Sequence, residues 1–94
     1  MTLEEIVALL GPKVTGKLQG SAKIKLIDLG SIVLTEAGAE ISDADTDVTL
    51  SATTEVFQNI LNGAQNPMMA YMGGKLKIDG SMGRALKVSE ILTS

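Results

Sequence analysis

Cysteine and histidine are both absent from this chain, and tryptophan with them. Without cysteine there is no disulfide, no thiolate nucleophile and no cysteine-ligated metal. Without histidine the usual general base at neutral pH and the commonest metal ligand are missing too, so no cofactor and no catalytic centre are expected. Only Phe57 and Tyr71 are aromatic, which leaves no platform for stacking nucleic-acid bases. A net charge of −3 argues against binding a phosphate backbone, and no nucleic-acid partner is expected. No apolar run approaches the ~20 residues of a membrane span, and Met1-Thr2-Leu3-Glu4-Glu5 puts acids where a secretory leader needs bases. Leu92-Thr93-Ser94 is not a Ser-Lys-Leu peroxisomal address. A cytoplasmic protein is the expectation.

The 94 residues, 45% of them hydrophobic, suit one small domain over 1–94. Leu, Ile, Val, Ala and five Met supply the apolar mass in place of aromatics. Asp28, Glu36, Glu40, Asp43, Asp45, Asp47 and Glu55 lie in a middle segment without Lys or Arg, whereas Lys75, Lys77, Arg84 and Lys87 make the last third basic.

Thr2 followed by Glu5 is a capping-box signature, and Leu3, Ile6, Leu9 and Leu10 fall on one helical face before Gly11-Pro12, where the helix is expected to stop. Ala22, Ile24 and Leu26 alternate with Lys23 and Lys25; after the turn at 28–31, Ile32 to Leu34 continue as the second arm of a hairpin. A short third strand over 39–42 and a fourth alternating Val48, Leu50 and Ala52 with polar residues are expected to complete a four-stranded meander. Thr53 or Thr54 caps a helix carrying Val56, Phe57, Ile60 and Leu61 up to Asn62-Gly63. Ser81 can cap a last helix whose Met82, Ala85, Leu86, Val88, Ile91 and Leu92 spread widely enough to suggest burial on two sides.

Two chemical motifs nearly form. Asp43, Asp45 and Asp47 have the alternation of a calcium loop, but Val48 stands where Gly is needed and Thr54 where a bidentate Glu is needed, so a solvated turn is the better reading. Gly80-Ser81-Met82-Gly83 is half a nucleophile elbow without a histidine to serve it.

The most informative stretch is 66–82. Asn66 can cap a short helix with Pro67 at its first position, and Gly73-Gly74 can end it in a left-handed conformation. Lys75 to Asp79 then alternates, with Leu76 and Ile78 on one sheet face and Lys75, Lys77 and Asp79 on the other. Helix and strand are expected to face a common apolar space lined by soft methionines, which repack around ligands of different shape. By residue type alone such a cluster is more often ordinary core packing, and Tyr71 reads as a core aromatic with its hydroxyl at the surface.

This series, Asn-Pro, a small residue, an aromatic, Met, Gly-Lys-Leu-Lys-Ile, Gly and Met, resembles the sterol carrier protein 2 family and is densest from Gly63 to Lys87. Arg84, where relatives usually carry an apolar residue, and the lack of an early Trp depart from it. The resemblance implies an α+β domain with a mostly antiparallel five-stranded sheet covered by helices, enclosing an apolar cavity. It implies a non-catalytic carrier of long-chain fatty acids, fatty acyl-CoA or sterols, with Phe57, Ile60, Leu61, Met68, Met69, Met72, Leu76, Ile78, Met82 and Leu86 as candidate lining residues. A monomer or weak dimer is expected, with transient contact to anionic membrane through the C-terminal lysines. The alternative is a protein-interaction or dimerisation module of the same fold.

Overall fold

Thr2 and Glu5 cap the first helix reciprocally. In the computed structural model, which describes residues 2–93, the Glu5 N–H donates to the Thr2 hydroxyl at 3.2 Å and the Thr2 N–H to the Glu5 carboxylate at 3.0 Å. Met1 and Ser94, on which the readings of leader and peroxisomal address partly rest, lie outside the described residues. Helix α1 (Leu3–Val14) buries Ile6, Leu10 and Val14. It outruns the expected stop at Gly11-Pro12, because Pro12 falls in the last turn, where it forfeits one helical hydrogen bond while Val14 becomes fully buried. Gly16, at φ 74°, then turns the chain back.

Five strands follow: β1 (Ala22–Leu26), β2 (Gly30–Thr35), β3 (Gly38–Ile41), β4 (Val48–Ala52) and β5 (Lys77–Gly80). They lie in the order β3-β2-β1-β4-β5. The pairings β1–β2, β2–β3 and β4–β5 are antiparallel, and β1–β4 is parallel with Ile24 opposite Leu50. The five-stranded, mostly antiparallel sheet is as expected, but the four-stranded meander is not. Instead of pairing with β3, the fourth strand crosses to the far side of β1. Burial explains the choice: Val48, Leu50 and Ala52 are all sealed from solvent and need a central place, while Glu40 and Ile41 of β3 are exposed and suit an edge. One carboxylate ties the parallel pair together at its start. Asp47, just before β4, accepts from the N–H of Ser21, just before β1, at 2.9 Å.

One sheet face carries Ala22, Ile24, Leu26, Ile32, Leu34, Val48 and Leu50 into the core. Helix α1 covers it over β2 and β3, α4 (Met82–Thr93) covers β4 and β5, and α2 (Thr54–Leu61) packs against α4. Thr53 caps α2, its hydroxyl accepting from the Val56 N–H at 3.3 Å, and Asn62 with left-handed Gly63 ends it. The Ser81 hydroxyl accepts from the Arg84 N–H at 3.4 Å at the head of α4. That helix buries Ala85, Val88, Ile91 and Leu92, a single stripe; Met82 is half-buried and Leu86 exposed, so burial on two sides is not realised. Among the described residues no polar or charged side chain is buried.

Candidate functional site

Asn66 builds the short helix α3 (Pro67–Met72) by accepting from the N–H groups of Met68 and Met69 at 2.9 and 3.1 Å, with Pro67 at the first position where its missing N–H costs nothing. Within it only Ala70 is buried. Met69 and Met72 are 68% and 78% exposed, and Met68 and Tyr71 also reach the surface. The exit is tied back tightly: the N–H groups of Lys75 and Leu76 both donate to the Ala70 carbonyl, at 2.8 and 3.1 Å. Gly74 makes this loop at φ 78°, a left-handed conformation that disfavours a side chain. The smallest apolar residue of the helix thus touches the core, and Leu76 is delivered beside it at 3% exposure. The shared apolar space expected of helix and strand therefore holds Leu76 and half-buried Ile78, while the methionines of α3 face solvent. Tyr71 is likewise a surface residue rather than a core aromatic.

An apolar crevice lies elsewhere, between β1 and the three longer helices. Ile6 and Leu10 of α1, Ile24 and Leu26 of β1, Thr54, Phe57, Gln58 and Leu61 of α2, and Leu92 of α4 line it. Its free volume is about 10 Å³, barely the room for one water. Across α2 an open groove of about 490 Å³ runs past Leu9, Asn59 and Asn62 and shares Gln58 and Leu61 with the crevice. These two residues border both the interior space and the surface groove. Of the candidate residues, Phe57 and Leu61 stand in the crevice wall; Ile60 and Leu76 are in the surrounding core; Ile78 and Met82 are half-buried away from it; Met68, Met69, Met72 and Leu86 are exposed.

The contributions of Ile6, Leu10, Ile24, Leu26 and Leu92 were legible as apolar periodicity but not as a site. What brings them together is the crossing of β4 to β1, which centres β1 beneath the helices. Asp28 fixes α2 over this space: from the β1–β2 turn its carboxylate accepts from the N–H and hydroxyl of Thr54 at 2.9 and 3.0 Å. Two members of the acidic triplet 43–47 serve structure instead. Asp43 pairs with Lys23 at 3.2 Å and Asp47 holds Ser21, and among the described residues no group of acids could hold a metal ion. Arg84, the departure from the family pattern, avoids the crevice; its side chain stays half-exposed and donates to the Gln19 carbonyl at 2.9 Å.

The profile of the SCP-2 sterol transfer family matches residues 4–93, and the chain belongs to that family. Hydroxysteroid dehydrogenase-like protein 2 of Homo sapiens is 44% identical over 46 residues, 49% of this chain and 11% of that protein. The matched stretch thus spans about a tenth of the length of these curated relatives. The sterol carrier protein domain 2 of Helicoverpa armigera superposes with a TM-score of 0.67 at 26% identity, over 81% of this chain and 68% of that one. Sterol carrier protein 2 of Aedes aegypti, solved in solution as a complex with palmitate, gives 0.80 at 16% identity, over 98% and 96% of the two chains. The α+β fold with its five-stranded sheet is the one these proteins share.

Proposed function

We propose that this chain binds long-chain fatty acids, fatty acyl-CoA or sterols without altering them, admitting the apolar part of the lipid between the sheet and helices α1, α2 and α4. The observation that carries this reading is the crevice over β1, walled by apolar side chains of three helices and sharing Gln58 and Leu61 with a surface groove. The palmitate complex of the Aedes aegypti protein of the same fold supports it.

Each methylene withdrawn from water contributes about 0.8 kcal/mol, so a C16 chain gains on the order of 10 kcal/mol gross, against the cost of ordering the chain and parting the helices. A space of one water holds no such chain. The receptive form is therefore a minor, opened state that ligand makes dominant by binding it better than the closed one. In that state Phe57, Ile60 and Leu61 of α2 line the chain, backed by Leu76, and the exposed Met68, Met69 and Met72 meet lipid at an anionic membrane surface beside Lys75 and Lys77. No catalytic role is proposed. An interaction module is the second reading, favoured by the exposure of Met69 and Met72; protein in place of lipid would then cover α3.

A ligand selective for the folded state raises its melting temperature by mass action. Palmitate, palmitoyl-CoA and cholesterol are each to be titrated during thermal unfolding, and organic extracts of the purified protein analysed by mass spectrometry. A rise of several degrees with at least one ligand is expected. No shift with any of the three and no co-purified lipid would end the carrier reading, and a stable dimer in native mass spectrometry would then favour the second.

A further inference from the structure

A second concavity lies at the other end of α4. The segment 17–21, the start of β4 and the first turns of α4 enclose a cleft of about 590 Å³. Leu18, Val48 and Val88 make its buried floor, and Lys17, Arg84 and Lys87 stand in its walls. No carboxylate lines it; Asp47, just outside, forms an ion pair with Arg84 Nη1 at 3.9 Å and also accepts from the Ser21 N–H and hydroxyl. An excess of cations therefore surrounds an open, polar-rimmed space.

Arg84 is held in place there. Its Nη1 donates to the Gln19 carbonyl at 2.9 Å. Gly20, at φ 76°, gives the guanidinium clearance, since a Cβ at that position would lie 2.5 Å from Nη1 and 2.6 Å from the Asp47 carboxylate. Nη1 is taken up by the Gln19 carbonyl and the Asp47 ion pair, and the Nε–Nη2 edge of the planar fork remains to meet an anion bidentately. Among the described residues neither the Lys17 nor the Lys87 side chain has an ion pair. These are point charges on flexible stems beside an anchored fork.

We infer that this cleft binds the phosphate group of a phosphorylated amphiphile, with Arg84 as the bidentate contact and Lys17 and Lys87 closing on it. Helix α4 supplies the connection to the crevice: Val88 lies on the cleft floor and Leu92, about 6 Å further along the helix, lies in the crevice wall. The place of the chain rests on the lipid-binding reading; the phosphate contact rests on the cleft alone.

The test titrates the intact chain with monododecyl phosphate, 1-dodecanol and inorganic phosphate at low salt, following the amide signals of residues 17–21 and 83–88. Dodecyl phosphate is expected to bind at least tenfold more tightly than dodecanol. Arg84→Gln, and separately Lys17→Gln with Lys87→Gln, should reduce that advantage and leave dodecanol binding unchanged. Equal affinity for the two amphiphiles, or an undiminished advantage in both variants, overturns the inference. If neither amphiphile binds, the dodecyl chain finds no place in the fold and inorganic phosphate decides: signals that move at Lys17, Arg84 and Lys87, and are lost in Arg84→Gln, sustain a free-phosphate site, and unmoved signals overturn it.

Discussion

The Asp28 carboxylate, in the turn between β1 and β2, accepts both the backbone N–H and the hydroxyl of Thr54, the first residue of α2. A single side chain thus fastens the sheet to the helix that carries Phe57, Gln58 and Leu61 over the crevice. The Thr54 N–H hydrogen bond holds the Asp28 carboxyl below its ordinary range, the Thr54 hydroxyl adding to it against the opposing effect of burial. A carboxyl whose folded pKa is lowered contributes stability above its unfolded value, about 3.9, and that contribution is lost as pH falls through the folded value. Asp28→Ala is therefore expected to lower the melting temperature at pH 7, and the gap from wild type to narrow as pH drops below about 4. Circular dichroism melts across that range check it; a gap independent of pH would show that the carboxylate's charge is irrelevant. On the proposed opening of the crevice, the same variant should speed lipid uptake, since it loosens the attachment of α2.

Four residues separate two opposite outcomes near the end of α3. Met72 is 78% exposed and Leu76 3%. Met72→Lys is expected to fold normally, with a stability change within about 0.5 kcal/mol, because Lys is as good a helix former as Met and nothing buried is lost. Leu76→Ala should cost about 2–5 kcal/mol, the transfer free energy of the side chain plus the cavity left behind. Urea denaturation measures both. If Met72→Lys unfolds the protein, α3 packs differently from the arrangement described.

Local signals in the chain translated directly into structure. The Thr2–Glu5 capping box and the Asn66-Pro67 start each formed as expected because both partners lie within one helical turn. The strand alternation of 22–26 and 48–52 likewise survived, since period two depends on no partner. What did not read out is set by contacts distant in sequence. The parallel pairing of β4 with β1 joins segments 26 positions apart, as the Asp47–Ser21 hydrogen bond records, and without that crossing the crevice has no floor. The outward turn of the methionines is subtler. Both faces of α3 offer apolar residues, and the short loop returning Lys75 and Leu76 to the Ala70 carbonyl decides which of them goes in.

The sheet also sorts charge from edge to edge. Glu36 and Glu40 lie at β3, with Asp43 and Asp45 in the segment that follows, whereas Lys75 and Lys77, outnumbering Asp79, lie at β5 on the opposite edge, just after the helix with the exposed Met69 and Met72. Lys77 lies opposite Ser51 of β4, so it projects from the outer face while Ile78 turns toward the core. A basic edge beside exposed apolar side chains can steer the protein toward an anionic bilayer despite the net charge of −3. Steering acts on the rate of encounter more than on the affinity for lipid, because neither lysine lines the crevice. Lys75→Glu with Lys77→Glu is therefore expected to slow transfer of a fluorescent fatty acid to anionic vesicles several-fold at low salt, with lipid affinity and melting temperature unchanged. Raising the salt should erase the difference as the Debye length falls from about 30 Å at 0.01 M to about 3 Å at 1 M. Neutral vesicles supply the control, since they offer the lysines nothing to meet. Transfer that is equally fast in wild type and double variant, on anionic vesicles at low salt, would leave the two lysines as solvated residues of an outer strand face.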